Sequence, residues 1–126
     1  IYNCYCKLHG DGFAHSVEVW RDNRLIGGVY GVAIGAAFFG ESMFSEVSNG
    51  SKIALTYLHD RLLKTGFMLF DTQFLTEHLA SLGAIEITQA DYLIKLDKAL
   101  NKSVKFLDSS YSADVETIAH RSTQTS

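Results

Sequence analysis

The chain has 126 residues, 47% hydrophobic and 20% charged, with a formal net charge of −3 and two cysteines. That is one domain's length with enough apolar residues for a single core, and its acidic balance excludes a global electrostatic pull on nucleic acid, so any RNA contact has to be local. Cys4 and Cys6 are too close in sequence to close a useful disulfide loop, which excludes an oxidised scaffold and a four-cysteine zinc site; no signal peptide or separate hydrophobic span is visible, so the expected compartment is the cytoplasm.

Tyr2, Tyr5 and Leu8 stand at helical spacing before Gly10-Asp11-Gly12, which predicts a short helix over 1–9 and suggests that Ile1 is a cut into a longer chain. The β-branched residues of His15-Ser16-Val17-Glu18-Val19-Trp20 predict a strand. Arg21-Asp22-Asn23-Arg24 supplies a polar turn, and Leu25 to Ile34 forms the return strand. A third strand over 36–44 completes an antiparallel meander. Sixteen residues without a formal charge, Leu25 to Gly40, carry five glycines, at 27, 28, 31, 35 and 40. The run is too short and too glycine-rich for a membrane span of about 20 residues. Its glycines predict bulges, tight turns or close approach to the backbone. Glu41 follows at once, and a carboxylate at the mouth of an apolar, aromatic-lined groove suits an apolar ligand that carries a cationic group.

Ser48-Asn49 can cap a helix whose apolar positions Ile53, Leu55, Leu58, Leu62 and Leu63 follow a helical pattern, with Gly66 as its stop. Lys52, Arg61 and Lys64 read as a solvated face of that helix. Phe67 to Gln73 is apolar on both faces until Asp71, as expected of a central strand with chemistry at its carboxyl end. A short helix over 76–82 stops at Gly83. Thr88-Gln89-Ala90-Asp91 then opens a last helix with Tyr92, Leu93, Leu96 and Leu100 on one side. Beyond Tyr111 the chain is rich in Ser and Thr, a composition compatible with a mobile tail or an ordered edge extension. The order gives an α+β fold: a mixed, mainly antiparallel sheet flanked by helices, compatible with a GNAT-like acyltransferase, with a domain over 1–108 and a polar C-terminal tail over 109–126.

Several chemistries are disfavoured. Gly35 to Ser42 has the glycine spacing of a phosphate-binding loop but Glu41 where a lysine is required. Coenzyme A needs a glycine-rich basic turn before the long helix, and Ser45 to Ser51 is acidic with one glycine. The five histidines show no metal-binding spacing, so no metal or diffusible cofactor is expected. Asp71 and Gln73, two apart on a strand, leave the same face where the apolar run ends. They can cap and satisfy loop backbone, or they can serve as a proton relay for an amine nucleophile, whose pKa near 8 requires deprotonation before attack on a carbonyl.

The strings His15 to Trp20, Leu25 to Gly35, Phe39-Gly40-Glu41-Ser42-Met43-Phe44-Ser45, Ser51-Lys52, Asp71-Thr72-Gln73 and His78-Leu79-Ala80-Ser81-Leu82-Gly83-Ala84 resemble, in order and spacing, the bacterial leucyl/phenylalanyl-tRNA–protein transferases over residues 2 to about 97. The resemblance implies transfer of Leu or Phe from aminoacyl-tRNA to proteins with N-terminal Arg or Lys, tagging them for degradation, by a cytoplasmic monomer without cofactor or membrane attachment. Carried over, Asp71 and Gln73 form the catalytic pair. Gly40 and Glu41 lie near the aminoacyl ester, and Val29, Phe38, Met43, Leu55, Leu58 and Phe70 build the side-chain pocket. Glu46, Thr76 and Thr88-Gln89-Ala90 depart from the family pattern by removing positive charge or a hydrogen-bonding group on the RNA side. Family members also usually carry an N-terminal domain that precedes the matching segment. The alternative reading is a non-catalytic fragment or paralogue that binds an aminoacyl or peptide ligand.

Overall fold

Tyr2, Cys4 and Cys6 are half-buried while Asn3, Tyr5 and Lys7 are exposed, a period of two, in the computed structural model, which describes residues 2–10, 12–72 and 80–124. The helix expected over 1–9 is therefore a strand, β1 (Tyr2–His9). Tyr and Cys favour a pleated, half-buried surface, and β1 pairs along its whole length with β2 (Ala14–Arg21). The helical spacing of Tyr2, Tyr5 and Leu8 leaves Tyr5 and Leu8 half exposed, so those three side chains never shared a face.

The meander was legible. The turn after β2 holds Asp22 and Asn23 at φ 50° and 67°, the two-residue hairpin geometry that Asn and Asp tolerate, and leads into β3 (Arg24–Ile34). β4 (Ala37–Ser45) pairs antiparallel with β3, and β5 (Leu69–Thr72) pairs parallel with β4, giving one sheet in the order β1-β2-β3-β4-β5. β5 is thus an edge strand and not the central one expected. Its apolar residues report that both faces are covered: Phe70 packs on the main core and Leu69 on a smaller cluster across the sheet.

Between β4 and β5 runs α1 (Gly50–Thr65), ended by Gly66 in the left-handed region. Its cap differs from expectation. The Asn49 side chain makes no capping bond; instead the Ser45 hydroxyl accepts from Ser51 N at 3.1 Å and donates to Val47 O, joining the end of β4 to the start of the helix. Gly27 and Gly50 explain how closely α1 lies on β3: a Cβ on either would collide with the other strand or helix backbone, so both positions require glycine. Ile53, Leu55, Leu58 and Leu62 are buried, whereas Leu63 is 65% exposed. Arg61 is not on a solvated face. It is 8% exposed, donating to Phe106 O at 2.7 Å and Tyr57 OH at 2.9 Å, with the Tyr111 ring 4.3 Å from its guanidinium carbon. Those acceptors and rings replace water around the buried charge.

The helix expected over 76–82 falls mostly outside the described residues; at its end Gly83 N donates to Ala80 O at 3.0 Å. α2 (Gln89–Leu100) starts as the capping pattern requires, with Thr88 Oγ1 accepting from Asp91 N at 3.1 Å. Its inward stripe is Tyr92, Leu96 and Ala99, while Leu93 and Leu100 are exposed, which corrects the expected face. The small Ala99 lets the helix backbone approach the β3–β4 turn, where Ala36 N donates to Ala99 O at 2.7 Å. α3 (Val115–Gln124) puts Ile118 and Ala119 into the main core against α1 and β1, and Glu116 accepts from Tyr2 N at 2.7 Å.

Candidate active site

Pairing in the sheet makes Glu41 special. Gly31 pairs with Gly40 and Tyr30 with Ser42, so Glu41 is the extra residue of a β-bulge. Among the described residues Gly40 is also the last of β4 to pair with β5, opposite Thr72. The bulge therefore follows directly on the described pairing of β4 with β5, and Glu41 is exposed there. A Cβ on Gly40 would lie 3.3 Å from Phe70 Cε1, so glycine keeps this junction narrow.

Alternation along β5 sends Phe70 to one face and Asp71 to the other. Phe70 lies edge-on to Phe38, ring centroids 5.9 Å apart, on the α1 face. The six residues assigned to the side-chain pocket meet there: Val29, Phe38, Leu55 and Leu58 are buried, and Met43 and Phe70 pack against them half-buried. Asp71 does not join them. It shares the α2 face with Leu69, and its Oδ2 accepts a 2.7 Å hydrogen bond from the Tyr92 hydroxyl. That bond, then burial and the Asp71 charge, push the Tyr92 phenol up to about 12. Gln73, the other half of the expected pair, lies outside the described residues, as does Thr76.

An open cleft of about 860 Å³ follows β5 around the sheet edge. Phe70 and Asp71 both line it, so the edge strand brings the apolar and the acidic halves of the site to one concavity although the sheet separates them. His59 of α1 closes one side, Gln89, Tyr92 and Lys95 of α2 the other, and residues 82–87 form its outer wall. Among the described residues no three His, Cys, Asp or Glu side chains gather to hold a metal ion, and no helix is long and apolar enough to cross a membrane. Cys4 and Cys6 are not poised nucleophiles: burial first, then its neighbour Cys6, pushes the Cys4 thiol up to about 12, and burial raises Cys6 as well.

Residues 1–97 match the family model described as leucyl/phenylalanyl-tRNA protein transferase. The chain belongs to this family. It is 56% identical over all of its 126 residues to a leucyl/phenylalanyl-tRNA–protein transferase of Cereibacter sphaeroides, covering 59% of that protein. Similar proteins of the same name come from Ruegeria pomeroyi (64% identity over 81% of this chain and 49% of the relative) and Roseobacter denitrificans (62% over 86% and 51%). The chain thus spans between 49% and 59% of the length of these relatives.

In this member of the leucyl/phenylalanyl-tRNA protein transferase family, sequence reasoning missed Tyr92, His59 and Lys95 as cleft residues. Tyr92 carried a usable signal. It stands on the inward stripe of a helix, where a phenol needs a polar partner, and Asp71 is the one carboxylate of the segment Phe67 to Thr72. Nothing in the spacing of His59 or Lys95 marks them.

Proposed function

We propose that this chain carries the aminoacyl-transfer site of a leucyl/phenylalanyl-tRNA–protein transferase, moving Leu or Phe from aminoacyl-tRNA to the N-terminal Arg or Lys of an acceptor protein and marking it for degradation. The observation that carries the reading is the cleft at the β5 edge, which has the Asp71 carboxylate on one side of the strand and the Phe70 end of the apolar cluster on the other, in a chain whose residues 1–97 match that family.

The donor ester is already activated, so positioning and proton removal suffice without a covalent enzyme intermediate. The acceptor's α-amino nitrogen attacks the ester carbonyl carbon, a C–N bond forms, and the bond from that carbon to the ribose oxygen breaks. The proton lost by the amine ends on the leaving ribose hydroxyl. Asp71 polarises the amine, the Gln73 side chain helps take its proton, and Gly40 and Glu41 border the ester and the acceptor's positive charge. Val29, Phe38, Met43, Leu55, Leu58 and Phe70 form the slot for an apolar side chain unbranched at Cβ, against which Ile or Val clashes. Their gathering into one cluster supports this assignment.

A GNAT-like fold for residues 1–108 is supported by the helical crossover between parallel strands β4 and β5 and by the bulge at their junction. The reading includes a cytoplasmic monomer and no diffusible cofactor. Incubation of the full-length protein with Phe-tRNA and an Arg-initiated peptide is expected to give Phe-Arg-peptide, with Gln73→Ala strongly slowed. Undiminished transfer by that variant removes the role given to Gln73, and ligand binding without turnover by the unsubstituted protein replaces the transferase reading with that of a binding protein.

A further inference from the structure

Hydrogen bonds fasten α2 to the sheet near both of its ends. Near its C terminus Ala99 O accepts from Ala36 N, a backbone contact that the small Ala99 permits. In its first turns the Tyr92 hydroxyl donates to Asp71 Oδ2, between residues 21 apart. Tyr92 is held in place from its own side, because Thr88 caps the helix one turn before it and Leu96 and Ala99 on the same stripe belong to one cluster with Ala37 and Leu69. A donor fixed in a packed helix selects one orientation of the carboxylate it binds.

We propose that Tyr92 is a positioning residue for aminoacyl transfer: its hydroxyl occupies Asp71 Oδ2 and so presents the other carboxylate oxygen to the attacking amine. The inference rests on the transferase reading above. Misorientation of a reacting group is costly in rate, and a hydrogen bond to a charged group is worth about tenfold or more. Tyr92→Phe removes one oxygen and keeps the ring that packs in the cleft wall, so the fold is retained.

The experiment combines kinetics in the full-length protein with a titration that does not depend on activity. With Phe-tRNA and an Arg-initiated peptide, Tyr92→Phe is expected to lower kcat about tenfold and leave KM for the aminoacyl-tRNA within about twofold. If Tyr92 acts through Asp71, the double variant Asp71→Ala/Tyr92→Phe is no slower than Asp71→Ala alone. Carbon NMR of ring-labelled tyrosine, with Tyr92 identified by its loss in Tyr92→Phe, should show its phenol titrating near 12 in the unsubstituted protein and nearer 10 in Asp71→Asn. Unchanged kcat in Tyr92→Phe, or a double variant slower than Asp71→Ala by the same tenfold, overturns the positioning role and leaves the transferase reading standing. Absence of transfer by the unsubstituted protein, with Tyr92 still titrating near 12, overturns the transferase reading and the positioning role with it.

Discussion

On the α1 face of the sheet Val17, Val19, Val29 and Phe38 lie at 3% exposure or less against Ile53, Leu55 and Leu58, with Phe106, Ile118 and Ala119 closing the cluster from the C-terminal side. On the α2 face the fully buried set shrinks to Ala36, Ala37 and Ala99, supported by half-buried Phe39, Leu69, Leu96 and Val104, and the polar pair Asp71–Tyr92 sits beside it. The same two strands, β4 and β5, serve both faces. A dense core on one side fixes where the strands are, which lets the other side hold a carboxylate and a phenol at a partly open edge without losing their geometry. The densest packing lies on one face of the sheet and the Asp71 carboxylate on the other.

Phe38→Ala gives the largest expected effect. Phe38 meets Phe67, Phe70 and Phe106 and is 1% exposed, so the substitution is expected to cost about 3–5 kcal/mol in urea unfolding, mostly as an unfilled cavity. Leu69→Ala, across the sheet and half-buried, is expected to cost clearly less; equal losses would break the comparison. Asp71→Ala tests the other half. Transfer is expected to fall by about 10² or more while the urea midpoint barely moves, because the residue contributes chemistry and a half-buried hydrogen bond and fills no core. A large fall in the midpoint would mean that the α2 face is structural after all.

The comparison also explains what the sequence allowed to be read. The β2–β3–β4 meander and α1 were legible because alternation, the Asp22-Asn23 turn and the Gly66 stop are local signals. β1 was not, since Tyr2, Tyr5 and Leu8 satisfy a helical template as well as a strand and only the unpaired edge of β2 decides between them. Arg61 misled for a related reason: a charged residue reads as solvated until the chain returns with Phe106 and Tyr111 to enclose it. Asp71 stood out as the carboxylate that ends an apolar run, and the six residues that share the α1-face cluster were named through the family resemblance. Their placement on opposite faces follows from a period of two along β5, but the 2.7 Å bond from Tyr92 depends on how α2 docks, which no local spacing encodes.

A smaller, pH-dependent effect belongs to the α1 face. His15 is 5% exposed, its ring centroid is 4.5 Å from that of Phe106, and its Nδ1 is buried without a partner among the described residues. Burial, then the charge of Arg61, then His9, hold its pKa below the usual 6.5. The unfolded chain therefore takes up the proton first. Stability from this group is complete at neutral pH, declines as the pH falls below about 6.5 and stops declining below the folded-state value. Melting curves between pH 7.5 and 5 should show a steeper loss for the unsubstituted protein than for His15→Gln. The Asp108 and Asp114 carboxyls, held low by hydrogen bonds from Ser110 and Thr117, act only at more acid pH and do not obscure the comparison. Equal slopes would remove His15 as the source.

The smallest expected effect discriminates most finely between the two faces. Thr88→Ala deletes the oxygen that accepts from Asp91 N and should cost about 1 kcal/mol, felt first as faster amide exchange in the opening turn of α2. The rest of α2 remains fastened through Ala99, so the α1 face and its core are not expected to notice. Tyr92 follows Asp91 directly, so the loosened turn carries the phenol with it. If Asp71 depends on that phenol for its orientation, Thr88→Ala lowers kcat for transfer by less than Tyr92→Phe does, and the two substitutions together lower it no further than Tyr92→Phe alone. An additive loss would mean that the first turn of α2 serves the cleft by a route other than the bond between Tyr92 and Asp71.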